Sequence, residues 1–190
     1  INPMAASSTP SGLIAFGDKV FFSADDGTHG QELWRTDGGV DETHAGSELA
    51  CDIRPSGGSN PFLIGVLGDW LYFTANDGTN GDELYRTNGA INGCEIVAIN
   101  ADADANVSEA VVIGDKLWFS ATDGVHGYEV WYTDNSAPVR VTDINSGAGS
   151  ANPMNFTFAP TGTGVGETYI PWVYFSADDG VNGIELYRTD

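Results

Sequence analysis

Residues 21–36 read FFSADDGTHGQELWRT, and the same pattern returns at residues 72–87, 118–133 and 174–189. Each copy holds an aromatic pair, an Asp-Gly turn, a second glycine, and a Glu followed by an apolar and an aromatic residue. The Asp-Gly glycines of successive copies lie 51, 46 and 56 residues apart. A repeat period of this size is typical of propeller blades and solenoids, in which each repeat is one supersecondary unit.

Each period predicts four short strands. The first strand precedes a Gly-Asp turn, the second is the aromatic run, and the third begins at the Glu. The fourth strand is predicted to end in an Asp-Ile or Ala-Ile pair, at residues 52–53, 98–99 and 143–144. Gly, Pro, Asn and Asp interrupt every gap and no window shows helical spacing, so we expect no helix.

The second strand carries large or apolar residues on both of its faces, with Val20, Phe22 and Ala24 opposite Phe21. A sheet that faced water on one side would alternate apolar and polar residues. Burial of both faces favours sheets stacked around an axis, so the predicted fold is an all-β, propeller-like array of four four-stranded repeats. A β-solenoid or sandwich array is the alternative. The chain is then one repeat domain, residues 1–190, with repeats near residues 1–53, 54–99, 100–144 and 145–190.

The last repeat is predicted to be incomplete. The sequence stops at Asp190, just after a third strand, and Ile1-Asn2 aligns with Ile144-Asn145 at the end of a fourth strand. An unpaired strand edge is a template for another chain. We therefore expect the open blade to be completed by a neighbouring copy or by a flanking segment of a longer polypeptide.

The repeats resemble the ELWxxDGT repeat family. Residues 32–38 read ELWRTDG, followed by Gly39 where the family name has Thr, and residues 52–55 read DIRP, which resembles the family's upstream Asp-Ile-x-Pro motif. The resemblance implies propeller-like β structure in large secreted or surface-attached proteins. It brings no established catalytic residues, so none is carried over to this chain.

The charge balance excludes two classes of partner. Lys plus Arg number 7 and Asp plus Glu number 27, a net charge of −20. Such a surface repels phosphate backbones and anionic lipids, so nucleic acid is not an expected partner. No run of 18 apolar residues is present, so the chain is not predicted to span a membrane. The hydrophobic fraction of 41% predicts a sizeable core rather than disorder.

An Asp-Gly-x-x-Gly-x-Glu motif recurs four times and has two interpretations. It suits a hairpin loop in which the carboxylates accept backbone N–H bonds. It also suits calcium, because carboxylates six residues apart could both reach one ion. The candidate calcium ligands are Asp26, Glu32, Asp77, Glu83, Asp123, Glu129, Asp179 and Glu185.

The histidines are interpreted as turn residues rather than ligands or bases. His29 and His126 occupy the position that Asn80 and Asn182 hold in the other copies. His and Asn both tolerate left-handed backbone conformations, whereas a general base would not be exchangeable for Asn. His44 stands alone in a predicted loop.

Three further sets of candidate residues are a row of aromatic residues, a pair of cysteines and a pair of asparagines. Trp34, Tyr85, Trp131 and Tyr187 share one repeat position and either fill the space between sheets or form an exposed platform for glycans. Cys51 and Cys94 permit one disulfide, and Asn106 and Asn155 lie in sequons for glycosylation.

These features predict an extracellular or cell-surface structural or adhesive module that associates with further copies of itself, into a filament or surface layer. The alternative is a calcium-dependent carbohydrate-binding propeller. The chain lacks a nucleophile elbow, an HExxH motif and a P-loop. Its prominent acids recur in every repeat, which suits a scaffold better than an asymmetric active site, so we do not expect an enzyme.

Overall fold

A computed structural model describes residues 1–2, 6–39, 46–100, 103–161 and 170–190 of the chain. Within these ranges the chain forms fifteen strands in four antiparallel sheets and no helix. This confirms the predicted all-β array of repeats. Since the described residues form no helix, they include no helical segment long and apolar enough to cross a membrane.

The sheets follow the chain as successive meanders, each built of neighbouring strands. The first is β1 (Ser11–Phe16), β2 (Lys19–Asp25), β3 (Gln31–Thr36) and β4 (Ser47–Cys51). The second is β5 (Phe62–Leu67), β6 (Trp70–Asn76), β7 (Asp82–Thr87) and β8 (Cys94–Val97). The third is β9 (Ser108–Ile113), β10 (Lys116–Thr122), β11 (Tyr128–Thr133) and β12 (Val139–Arg140). The fourth is β13 (Met154–Thr161), β14 (Ile170–Asp178) and β15 (Ile184–Thr189).

The central hairpin has one register in all four sheets. In the first sheet Phe22 lies opposite Trp34 and Ala24 opposite Glu32, and the other sheets repeat these pairs at the equivalent positions. The register is constant because the loop is constant: both of its glycines have positive φ, 81° at Gly27 and 74° at Gly30. Residues with a side chain adopt that conformation only at a cost.

The chain divides into two compact units, Ile1–Asp104 and Ala105–Asp190. Each unit contains two sheets that pack on each other, and each has an apolar core between them, centred on Phe21 and Phe73 in the first unit and on Trp118 and Phe175 in the second. In β2, residues 21–24 are all buried, which agrees with the predicted burial of both faces.

The fourth strands end earlier than predicted. β4 ends at Cys51, β8 at Val97 and β12 at Arg140, so the Ile residues expected to close these strands lie beyond them. The backbone N–H groups of Ile53, Ile99 and Ile144 instead bind glutamate side chains. The chain leaves the strand ladder because a carboxylate has replaced the backbone acceptor.

Candidate functional site

The Asp of each repeat motif holds its own loop together. Asp26 Oδ1 accepts the backbone N–H groups of Thr28 and His29, both at 2.8 Å. The same two bonds recur at Asp77, Asp123 and Asp179. These are short-range Asx-type contacts, which explain why an Asp starts each loop.

The second oxygen of each of these Asp residues binds the residue three positions on. His29 Nδ1 lies 2.7 Å from Asp26 Oδ2, and Asn80 Nδ2 donates to Asp77 Oδ2 at 2.6 Å. His126 and Asn182 repeat the contact in the second unit. His and Asn thus make the same contact with the Asp, which explains their exchange between copies. The expected left-handed backbone at this position was wrong, because the positive φ angles of the loop lie at its glycines. His44 lies outside the described residues.

The pKa values of His29 and Asp123 are shifted by these contacts. The hydrogen bond to Asp26 raises the pKa of His29, against a smaller opposing effect of burial. Partial burial acts to raise the pKa of Asp123, but the hydrogen bonds from the side chain and backbone of His126 outweigh it and lower that pKa to about 2. The loop carboxylates are therefore held ionised by donors of their own chain.

In the first three repeats the Glu of the motif binds a segment outside its own loop, unlike the Asp. Glu32 is fully buried and accepts the backbone N–H groups of Ile53, Arg54 and Ser59 at 3.0 to 3.1 Å and the Ser59 hydroxyl at 2.6 Å. These donors lie 21 to 27 residues further along the chain. Glu32 therefore fastens the segment that leaves the first sheet, residues 52–60, which we call linker A.

The same fastening recurs in the next two repeats. Glu83 is fully buried and accepts the N–H groups of Ile99 and Asn100, both at 2.9 Å. Glu129 is fully buried and accepts the Thr142 hydroxyl at 2.6 Å and the N–H of Ile144 at 3.1 Å. We call residues 141–152, which Glu129 fastens, linker B. Burial raises the pKa of Glu32 and of Glu83, although their hydrogen bonds act to lower it.

Each linker also binds the sheet that follows it. In linker A, Asn60 N–H donates to the carbonyl of Gln31 in the first sheet, and the carbonyl of Ser59 accepts Asn76 N–H of the second. In linker B, Ala151 N–H donates to the Tyr128 carbonyl, and its own carbonyl accepts Asp178 N–H. Each of these two linkers therefore binds two consecutive sheets, one on each of its sides.

Ile1, Asn2 and Ser8 contact the first sheet as a linker contacts the sheet that follows it. The Ser8 carbonyl accepts Asp25 N–H at 2.9 Å, as the linker carbonyls do in the other repeats. Ile1 packs against Phe22 and Trp34 of the first sheet. A Cβ at Gly27 would lie 3.1 Å from the Asn2 amide, just as a Cβ at Gly180 would meet the Asn145 amide at 2.8 Å. Ile1-Asn2 thus lies on the first sheet as Ile144-Asn145 lies on the fourth.

In the fourth repeat the described residues show no contact between the motif Glu and a linker. Within the described residues β15 pairs only with β14, and no hydrogen bond reaches the Glu185 side chain. Glu185 is exposed, whereas its three counterparts are fully buried. Leu186 is 73% exposed, although Leu33, Leu84 and Val130 at the same position are 0% exposed.

The predicted calcium ligands are therefore placed as follows. In the first three repeats the Asp binds loop N–H groups and the Glu binds linker N–H groups, so the two carboxylates serve different segments. Across the described part of the chain, no group of three or more His, Cys, Asp or Glu residues is arranged to hold a metal ion. Calcium binding stays a prediction.

The remaining candidates are distributed over both units. A disulfide joins Cys51 at the end of β4 to Cys94 at the start of β8, with the Cα atoms 6.2 Å apart. Asn106 and Asn155 are exposed, and the Asn155 amide donates to the Ser176 hydroxyl at 3.2 Å. Glycosylation of these two side chains stays a prediction.

The aromatic row is mostly core. Trp34, Tyr85 and Trp131 are 6 to 8% exposed, so in three repeats this row is buried rather than forming a surface. Tyr85 packs in the core between the first two sheets, and Trp34 packs with Phe22 and Ile1. Tyr187 is partly exposed and stacks on Phe175.

Sequence reasoning missed the partners of the glutamates. Ser59 and Thr142 lie far from the motif, and their role follows from contact rather than spacing. One signal was available, since residues 59–61 read SNP and residues 151–153 read ANP, each followed by the first strand of the next repeat.

Comparison with known proteins adds little. No family model matches the chain, and no curated protein matches it. The chain is similar to a solved structure from a structural and mechanistic analysis of two prolyl endopeptidases, with a TM-score of 0.44 and 12% identity. The match covers 91% of this chain and 25% of that one, so the chain spans about a quarter of its length. A likeness this distant carries no conclusion about activity.

Proposed function

We propose that the protein is an extracellular structural or adhesive module that assembles with further copies of itself, into a filament or a surface layer. The observation that supports this is the repeated way in which one sheet is joined to the next. Asn60 N–H binds the Gln31 carbonyl in linker A as Ala151 N–H binds the Tyr128 carbonyl in linker B. Contacts of one kind that join successive repeats are suited to an extended array of repeats.

The pattern of the acids supports a scaffold rather than a catalyst. Glu32, Glu83 and Glu129 hold linkers in place and are buried, so none of the three faces a substrate. The alternative function, carbohydrate binding, finds no exposed aromatic platform at Trp34, Tyr85 or Trp131.

A filament requires a contact between two different surfaces of the same chain. Such a heterologous contact produces a ring if the rotation closes and a helical filament if it does not. The net charge of −20 opposes close approach of copies. Salt screens that repulsion, since the Debye length falls from about 30 Å at 0.01 M to about 8 Å at 0.15 M. Assembly is therefore expected to strengthen with salt.

Sedimentation velocity tests the proposal. We expect the weight-average mass to rise with protein concentration and to rise further between about 0.01 and 0.15 M salt. A chain that stays monomeric under all of these conditions would refute the proposed function.

A further inference from the structure

We propose that a cleft in the first unit binds a primary alkylammonium group, the group carried by small amines and by the lysine side chain. The cleft has a volume of about 320 Å³, at the small end for ligand pockets, which suits one small molecule or one side chain. It lies between the end of the first sheet, at Cys51 and Asp52, and strands β7 and β8 of the second sheet. The inference goes beyond the proposed function, because this site is contained in a single copy.

Asp52 supplies the cleft with an acceptor that the fold does not use. Its Oδ1 atom is buried, and no hydrogen bond reaches that atom from the residues that the structure describes. The pKa of His29 is raised mainly by its hydrogen bond to Asp26 and to a smaller extent by the charge of Asp52, which His29 does not contact through a hydrogen bond. A buried acceptor without a donor is unfavourable, so a donor that enters the cleft would bind there.

The other repeats show that this free carboxylate is not part of the shared framework. Asp143 holds the same position in the third repeat, but its Oδ1 accepts the Gly147 N–H at 3.1 Å and its Oδ2 lies 3.7 Å from Nη1 of Arg140. The second repeat has Ala98 at this position and forms the same sheet. The fold therefore does not require an acceptor at this position, and only in the first repeat is one left unused beside a cleft.

The second carboxylate of the cleft contributes charge rather than a free acceptor. Asp77 already accepts the backbone N–H groups of Thr79 and Asn80, the Asn80 side chain and the Tyr85 hydroxyl. Among the described residues that line the cleft there are two carboxylates and no Lys, Arg or His. The cleft is therefore negative, which favours a cation that carries its own N–H donors.

The remaining walls suit an alkyl chain. Ile53, Ile96 and the Cys51–Cys94 disulfide line the cleft, and Ile96 is 39% exposed. Tyr85 is only 6% exposed, so it offers no open ring face on which a sugar could stack. Calcium takes six to eight oxygen ligands, and here one of the two carboxylates is already supplied with donors. An alkylammonium group matches the free acceptor, the charge and the apolar walls together.

An NMR titration of the full 190-residue chain with n-butylammonium tests the site. The titration is run at pH 7 and about 0.15 M salt, where nonspecific attraction to the acidic surface is screened. Two probes serve as controls. The first, n-butanol, has the same alkyl chain without the charge, and the second, butyltrimethylammonium, has the charge without an N–H donor.

We expect saturable shifts of the backbone amide signals of residues 51–53 and 92–96 with n-butylammonium, and weaker binding of both control probes. Asp52→Asn should weaken binding about tenfold, because it removes the charge from the hydrogen bond. The melting temperature of this variant should not fall, since no hydrogen bond of the fold is lost. Ile96→Ala should weaken binding about threefold through lost apolar contact. Asp69→Asn removes the same charge from an exposed turn outside the cleft and should leave affinity within about twofold.

The possible outcomes decide the inference and its source of ligand. Equal affinity of the wild type and Asp52→Asn, equal affinity for n-butylammonium and n-butanol, or the absence of shifts in the cleft would overturn the site. Nα-acetyl-lysine N-methylamide then distinguishes the two sources of the ammonium group. Binding of this blocked lysine as tight as that of n-butylammonium would support a lysine side chain of a partner protein as the ligand. Binding of n-butylammonium alone would support a free amine.

Discussion

Replacement of the buried glutamate in the first repeat tests the fastening of the linker most directly. Glu32→Gln keeps the shape of the side chain and removes its charge. In the wild type the two oxygens accept three backbone N–H groups and one hydroxyl from linker A. The amide of Gln presents one accepting oxygen, and its NH₂ group faces donors.

The expected loss follows from the donors left without a partner. The amide oxygen can keep two of the four bonds, and the Ser59 hydroxyl can rotate and accept from the new NH₂ group. One or two backbone N–H groups of residues 53, 54 and 59 then remain buried and unsatisfied, each costing about 1–3 kcal/mol. Burial disfavours the charged form of Glu32 and raises its pKa, so removal of the charge offsets part of this loss. We expect a net loss of about 2–4 kcal/mol in the free energy of unfolding.

The chain contains its own matched control for this substitution. Glu185→Gln changes the same residue type at the same repeat position, but that side chain is exposed and has no hydrogen bond within the described residues. Its expected effect on the stability of the dilute monomer is within about 0.5 kcal/mol.

Urea unfolding followed by tryptophan fluorescence at pH 7 measures both losses. The comparison is made at protein concentrations where the chain is monomeric, so that association does not contribute. Equal and small losses for the two substitutions would refute the reasoning, because they would show that burial and hydrogen bonding of Glu32 do not stabilise the fold.

Three other tests examine the loops and the disulfide. The hydrogen bond to Asp26 raises the pKa of His29. The stabilisation that this contact gives the folded state is complete below the unfolded-state pKa of about 6.5 and is lost as pH rises through the folded-state pKa. His29→Asn should remove this part of the dependence of melting temperature on pH, and an unchanged profile would contradict the reasoning. The double variant Cys51→Ser, Cys94→Ser opens a loop of 43 residues and should lower the free energy of unfolding by about 4 kcal/mol. Reductant should produce the same loss in the wild type and none in the variant. A loss below about 1 kcal/mol would argue against stabilisation through a constraint on the unfolded chain. If calcium binds the repeat motif, chelation at constant ionic strength should lower the melting temperature, and an identical melt with and without chelator would eliminate that prediction.

Local features were accessible from the amino-acid pattern. The repeat, the meander of short strands and the loop chemistry all follow from contacts between residues within a few positions of each other. Asp26 binds residues two and three positions on, and positive φ at Gly27 is a property of the loop itself. The equivalence of His29 with Asn80 could be inferred for the same reason, because the repeat shows both side chains at one position.

Only the tertiary structure decided what the glutamates do. The donors to Glu32 come from 21 to 27 residues away, and no short-range pattern distinguishes Glu32, which is buried, from Glu185, which is exposed. The two cysteines lie at different points of the repeat, so their pairing depends on how β4 and β8 pack together. Burial and long-range hydrogen bonding depend on segments that lie far along the chain, and a short-range pattern does not contain them.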